Sequence, residues 1–417
     1  MRVAVVSMDT RGGIVPYVAL GLGLRRAGHD VRMVAPADFA PMLAEVGLPI
    51  APLSGSVEEV LRGSTRATER GTMASMRFAA REMKPRIHAW TRETLEACEG
   101  VDVVTGGVGG MVVGLSVAEK LGKAFVETQV QPVGAPTGAY PGVLVAGPRW
   151  LGSAGYRLGH QLSEMALWMP FRGAMASARK EVLGLTGRPS AADGQPVLYG
   201  FSRHVVPVPA PAQGNRERHV TGYWFLPAPP TWSPPPALEA FLAAGGPVVA
   251  VGFGSMVSDD PEALTALVLG AVRGAGVRAV LTTGWGGLTS LSRAADVFVA
   301  DTLPYDWLFP RVAAVVHHGG AGTTGLALQA GVPAIVVPFT VDQPFWGSRV
   351  AALGVGPTPI PRKRLTQERL ADALRSTVAD EAMCARAAAL GERIRAEDGV
   401  TAAVEIFGRY ASKRGSA

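Results

Sequence analysis

From Ala313 to Pro344 the chain reads AAVVHHGGAGTTGLALQAGVPAIVVPFTVDQP: an apolar strand, two histidines, a glycine-rich turn, a helix pattern, a second apolar strand, then Asp342-Gln343. Few folds accept that order. A strand that runs straight through glycines into a helix belongs to an α/β sheet, whose short turns set the helix onto the sheet face. The same turn makes an anion site. Backbone N–H groups at the helix start have no partner within the helix, and the aligned peptide dipoles favour negative charge there. Gly319, Gly320 and Gly322 let a phosphate approach the backbone without Cβ interference, Thr323 adds a hydroxyl, and His317 adds a donor that can become cationic. Asp342 and Gln343 suit the hydroxyls of a sugar. The segment reads as a site for a sugar joined to a diphosphate.

Two other readings compete. Gly320-Ala321-Gly322-Thr323-Thr324-Gly325 fits G-x-G-x-x-G, and Asp342 follows Gly325 by 17 residues (342 − 325), near the spacing of a ribose-binding acid. A dinucleotide fingerprint, however, normally follows the first strand of its domain, and a histidine pair has no task in binding NAD. A purely structural turn is the third reading.

The rest of the chain alternates in the same way. Val3 to Ser7 is an apolar run suited to a parallel strand covered on both faces. Val15 to Ala27 has helical spacing and stops at Gly28, before a strand from Val31 to Ala35. Further strands are expected at Val101–Thr105, Ala124–Glu127, Val197–Gly200, Val248–Phe253, Arg278–Thr282, Val297–Ala300, Ala313–Val316 and Ala334–Pro338. Nine prolines between Pro207 and Pro236 mark a connector. The expected organisation is an α/β chain with two doubly wound, Rossmann-like domains facing across a cleft: 1–210, a proline-rich linker at 211–236, 237–395, and a terminal helix at 396–417.

Composition narrows the function classes. A length of 417 residues suits two domains, and 48% hydrophobic against 18% charged residues excludes wholesale disorder. The net charge of +6 is spread mostly over single arginines, with no run of five or more basic residues, so no nucleic-acid partner is expected. Two distant cysteines give neither a disulfide framework nor a metal site. No apolar run approaches the roughly 18 residues of a membrane span, and the start MRVAVVSM reads as a first strand rather than a signal peptide. A cytoplasmic location follows, with only weak contact at a membrane surface left open. Six lysines beside many arginines, alanines, glycines and valines suggest a GC-rich bacterial genome.

The 313–344 segment resembles the nucleotide-sugar signature of the family 1 glycosyltransferases, two-domain GT-B enzymes, and looks closest to the branch of sterol 3-β-glucosyltransferases and bacterial antibiotic glycosyltransferases. Other segments agree in order: Arg11-Gly12, Pro16, ALGLGLRRAGHDV (19–31), TGYWFL (221–226), VGFGSM (251–256), GWGGL (284–288), DWLFPRV (306–312), DQPFWGSRV (342–350) and GVGPTPIPRKRLT (354–366). The likeness is weakest from Ser54 to Val220. It implies an inverting transfer of a hexose or deoxyhexose from a UDP- or dTDP-sugar to a lipophilic natural product such as a polyketide, macrolide, aromatic aglycone or sterol-like alcohol. The implied phosphate contact is His317, with Asp342 and Gln343 on the sugar. Ser255, after the strand Val248–Phe253, is a further phosphate candidate, and Trp285 and Leu303, at other strand ends, are candidates to frame the base. It also implies that the last helix returns to the first domain. Without an Asp-x-Asp pair, no metal or other cofactor is expected beside the nucleotide-sugar co-substrate.

The catalytic base is where the chain departs from its relatives. An acceptor hydroxyl must lose its proton to attack, and the resembling branch carries aspartate where this chain has Gly13. Asp9, four residues earlier, is the expected replacement, with Asp342 and Glu127 as fallbacks. Thr10, Met76, Met83 and Tyr140 are the expected acceptor contacts, within a region that also supplies Met73, Trp90, Trp150, Tyr156, Trp168 and Phe171. The missing acid leaves two alternatives: a glycosyltransferase-like auxiliary protein without a base, and an NAD-binding enzyme.

Overall fold

The computed structural model describes the chain except residues 57–58, 60–62, 64–78, 208–215, 255, 257–259, 285–287, 289–294, 340 and 415–417. It divides into two compact units: Met1–Arg203 with Pro207–Leu226 and Asp398–Ala417, and His204–Val206 with Pro227–Glu397.

Unit 1 holds a seven-stranded parallel sheet in the order β3-β2-β1-β4-β5-β6-β7. Its strands are β1 (Arg2–Val6), β2 (Asp30–Pro36), β3 (Ile50–Leu53), β4 (Val103–Gly106), β5 (Ala124–Gln129), β6 (Val197–Tyr199) and β7 (Arg218–Val220). β1 is buried at four of five positions, as a strand with helices on both faces must be. Helix α1 (Arg11–Arg26) follows it, and a 30-residue helix α2 (Gly152–Glu181) lies between β5 and β6. The order reverses between β1 and β4: β1 leads to β2 on one side, while β4 lies on its other side. At such a reversal the two following loops separate and leave a crevice at the strand carboxyl ends.

The helix Gly399–Arg414 belongs to this unit. Its Ala403, Ile406 and Phe407 join the core of Val18, Leu20 and Leu24 from α1. The approach is close enough that a Cβ on Gly23 would stand 2.3 Å from Val400 Cγ1.

Unit 2 holds a five-stranded parallel sheet in the order β10-β9-β8-β11-β12. The strands are β8 (Val248–Gly252), β9 (Arg278–Thr282), β10 (Val297–Ala300), β11 (Ala314–His317) and β12 (Ala334–Val336). Here the order reverses between β8 and β11, which pair in register from Ala314–Val249 to His317–Gly252. Helix α3 (Ala321–Ala330) follows β11, and α4 (Gln343–Ala352) follows β12.

Two expectations need correction. The proline-dense stretch is not all connector: Arg218–Val220 pairs with β6 as the edge strand β7, and the units divide at Leu226/Pro227. Edge position explains it, because an edge strand needs a partner on one side only and tolerates flanking prolines. β3 is the second departure. Its IAPL sequence is too short, and its proline too discouraging, to signal a strand.

Candidate functional site

In unit 2 the chemistry gathers at the β8/β11 reversal. Past β11 the backbone turns through Gly319 (φ +92°) and Gly320 into α3. Gly319 must be glycine for two reasons. Its φ is left-handed, and a Cβ there would stand 2.6 Å from Val336 Cγ1 and 3.0 Å from the Gln343 carbonyl oxygen. The first helical bond runs from the Thr324 N–H to the Gly320 carbonyl, 2.9 Å. The Ala321, Gly322 and Thr323 amides therefore precede the helical ladder, and the N-cap residue Gly320 has no side chain to cap them. Three adjacent N–H groups at a helix N-terminus are suited to an anion.

The two histidines have different places. His317, the last residue of β11, is 1% exposed. Its Nδ1 accepts a 3.0 Å hydrogen bond from the Gly319 N–H, so Nδ1 is unprotonated and Nε2 carries the hydrogen. That Nε2 has no hydrogen-bond partner among the described residues, and the ring lines a small hollow with Gly252, Thr282, Tyr305 and Thr323. Burial, with His318 beside it, pushes its pKa down to about 3. Burial therefore opposes the cationic form of His317, which braces the turn through Nδ1 and keeps its hydrogen on Nε2. His318 is half-buried and stands between the two loops. A Cβ on Gly320 would lie 2.5 Å from His318 Nε2, and one on Gly254 would lie 3.2 Å from His318 Cε1. His318 thus stands beside Gly320 at the start of α3, while the His317 ring lies near Thr323 in its first turn.

Burial pushes His318 down to about 4. Both rings are neutral in the folded protein but take up protons near pH 6.5 when unfolded. Between pH 6.5 and about 4 the unfolded state binds more protons, so stability falls as pH falls. Each histidine contributes at most about 1.4 kcal/mol per pH unit. Urea unfolding at pH 7, 6 and 5 is expected to show a shallower loss of stability for His317→Asn than for the parent protein. Equal slopes would remove His317 from the pH response.

Asp342 and Gln343 open α4. The Asp342 Oδ2 accepts from Trp346 Nε1–H at 3.0 Å. Gln343 is 4% exposed, and both ends of its amide are used within the protein. Its Oε1 accepts from the Phe339 N–H at 2.7 Å, and its Nε2 donates to Met256 Sδ at 3.2 Å. Gln343 therefore ties Phe339 and Met256 to the start of α4. The same turn holds Val341 at φ +57° with 63% of its surface exposed, an uncommon conformation for a β-branched residue. Leu303 is half-buried just before the helix Tyr305–Leu308. Ser255 and Trp285 lie outside the described residues.

Unit 1 has its own group at the β1/β4 reversal. Asp9 follows β1, is half-buried, and accepts from Ser7 Oγ–H at 2.8 Å. Its carboxylate lies against two glycines. A Cβ on Gly109, past the end of β4, would fall 2.8 Å from Asp9 Oδ2, and a Cβ on Gly13, in the first turn of α1, would fall 2.5 Å from Asp9 Cβ. Asp9 thus fills the space that a side chain at position 13 would need. Burial raises its pKa above the usual carboxylate range, partly offset by the Ser7 hydroxyl. Thr10 is the extended residue at the N-cap of α1. Both fallbacks are occupied: Asp342 by Trp346, and Glu127 by Arg216 Nη2 at 2.8 Å and Gln129 Nε2 at 2.9 Å.

Of the expected acceptor contacts, Met76 lies outside the described residues. Met83 packs in the core with Ile87 and Trp90. Tyr140 is 1% exposed, with His160 against its ring and on its carbonyl oxygen. Neither Met83 nor Tyr140 presents an accessible surface, because the apolar character that suggested acceptor binding serves the interior. Sequence reasoning missed Gly109, although TGGVGG (105–110) repeats the strand-to-glycine signal of residues 319–322.

Residues 281–406 match the family described as Erythromycin biosynthesis protein CIII-like, C-terminal domain. A sterol 3-beta-glucosyltransferase of Emericella nidulans is 35% identical over 98% of this chain, and one of Arabidopsis thaliana is 33% identical over 98%. The chain spans 30% of the fungal protein and 66% of the plant one. Among solved structures, the glycosyltransferase SnogD from Streptomyces nogalater is 24% identical with a TM-score of 0.65, covering 98% of this chain and 99% of that one. Streptomyces sp. SF2575 glycosyltransferase SsfS6, complexed with thymidine diphosphate, is 21% identical with a TM-score of 0.64, covering 98% and 99%. At these identities the structural likeness speaks for the fold.

Proposed function

Because the chain belongs to the family 1 glycosyltransferases and has their GT-B fold, we propose that it moves a hexose or deoxyhexose from a UDP- or dTDP-sugar to a lipophilic alcohol. The observation that carries this reading is the uncapped start of α3, with the Ala321, Gly322 and Thr323 amides beside His318. As the glycosidic bond breaks, its electron pair goes to the departing diphosphate oxygen. Donors already aimed at that charge stabilise the transition state more than the ground state. Asp9 takes the proton of the acceptor hydroxyl, whose oxygen forms the new bond to the anomeric carbon. A displacement from the opposite face inverts that carbon. Asp342, fixed by Trp346, is positioned for a sugar hydroxyl.

The 33–35% identity to proteins named for sterol glucosylation makes glucose and a fused-ring lipophilic alcohol the first pair to try. The thymidine diphosphate in the complexed SsfS6 keeps dTDP-sugars beside them. Amide donors and an imidazole suit a metal-independent reaction. The test is a melting-temperature panel of UDP-glucose, dTDP-glucose and NAD, followed by transfer to a sterol and to an aromatic polyketide in chelator. Stabilisation by a nucleotide sugar, with a β-linked product from an α-linked donor, is the expected result. Stabilisation by NAD alone would overturn the reading. Donor binding without transfer to any acceptor would favour an auxiliary protein, and chelator-sensitive turnover restored by a divalent ion would overturn metal independence.

A further inference from the structure

Six large apolar side chains are exposed among the described residues, and five of them fall on one stretch: Trp150 (84%), Leu151 (39%), Leu158 (39%), Met165 (61%) and Met169 (67%). Trp150 and Leu151 belong to the short turn Arg149–Leu151 that leads into α2, and the other three lie on α2. At about 100° per residue, Leu151, Leu158, Met165 and Met169 lie within roughly 40° of one another. They form a stripe about 27 Å long at 1.5 Å per residue. The side turned inward carries the buried Gly159, His160 and Ser163.

We propose that this outward face of α2 docks on an anionic lipid bilayer. Charge selects that occupant. Arg172, one turn beyond Met169, and Lys180 are exposed on the same side of α2, each within roughly 40° of the middle of the stripe, whereas Arg157 lies on the side of Glu164. The only acid between residues 150 and 172 is Glu164, set about 120° from the middle of the stripe by helical geometry. An apolar line with a tryptophan at one end and Arg172 and Lys180 at the other has the composition of a helix lying in a membrane interface. The face is also too small for a stable dimer. Five partly exposed side chains offer a few hundred Å², against roughly 800 Å² per partner in a standard interface. A lipid surface would concentrate a lipophilic acceptor, but the docking face stands on α2 alone and does not depend on the donor reading.

The test is flotation of the full chain with vesicles of phosphatidylcholine, with and without phosphatidylglycerol. The protein is expected to float with the phosphatidylglycerol vesicles and to be released by salt. The triple variant Trp150→Ser, Met165→Gln, Met169→Gln is expected to partition roughly tenfold more weakly, with melting temperature and nucleotide-sugar stabilisation unchanged. Arg172→Gln with Lys180→Gln should weaken binding to the anionic vesicles only. The proposal is overturned by a parent protein that does not float, by binding indifferent to phosphatidylglycerol, or by equal binding of the triple variant. A stripe-dependent dimer in lipid-free buffer would also overturn it. Absence of nucleotide-sugar stabilisation in the parent protein would count against the donor reading instead.

Discussion

Asp9→Asn is expected to lower kcat by about 10²- to 10⁴-fold, the range associated with losing a general base, while nucleotide-sugar binding stays unchanged. The substitution keeps the size and the Ser7 contact but removes the proton acceptor. A variant that retains the parental rate would remove Asp9 from the chemistry. The glycines around it offer a second test. Position 13, where resembling enzymes carry aspartate, is glycine here because Asp9 Cβ already occupies the neighbouring space, 2.5 Å from a Cβ at residue 13. Gly13→Asp alone should therefore fail, by crowding and by bringing two carboxylates together. Asp9→Gly alone should be as inactive as Asp9→Asn. The double variant Asp9→Gly, Gly13→Asp returns one carboxylate to the same space and should recover part of the lost rate. A double variant no faster than Asp9→Gly would argue that the two positions are not interchangeable.

His318→Ala is expected to reduce kcat/KM for the nucleotide sugar by about 10²- to 10³-fold, as removal of a single donor to developing negative charge commonly does. It should also weaken binding of the free nucleoside diphosphate in calorimetry. His317→Ala should behave differently. That ring is buried, neutral and bonded to the Gly319 amide, so its loss leaves a hollow under the turn and appears first as a lower melting temperature. If His317→Ala abolished diphosphate binding at full stability while His318→Ala retained it, the two histidines would exchange roles.

Much of unit 2 is legible in the sequence because its strands are apolar runs bounded by glycine, proline or polar turns. β8, β9 and β11 fall within a residue or two of expectation. The order of the two histidines is not legible. A strand covered on both faces has no alternation of apolar and polar residues, so AVVHH does not tell which imidazole faces the interior. The internal ties of Gln343 are not legible either: its residue type suits sugar hydroxyls, and the two bonds it makes to Phe339 and Met256 appear only in the structure. The exchange between Asp9 and Gly13 is half legible: the missing acid is plain, whereas its replacement across a helix turn emerges only when Cβ positions are known. Met83 and Tyr140 mislead because apolar bulk in a variable stretch serves a core as readily as a ligand.

The helix Gly399–Arg414 has a consequence for how the polypeptide matures. Its Ala403, Ile406 and Phe407 finish an interior whose first members are Val3 and Val5. All of Pro227–Glu397 is synthesised between them. On a ribosome, the half that holds β8 to β12 therefore emerges whole while the half that holds β1 to β7 still lacks one wall. Stalling or clipping near residue 397 should leave the later-made half sound and the earlier-made half exposed to proteases, the reverse of the usual vectorial order.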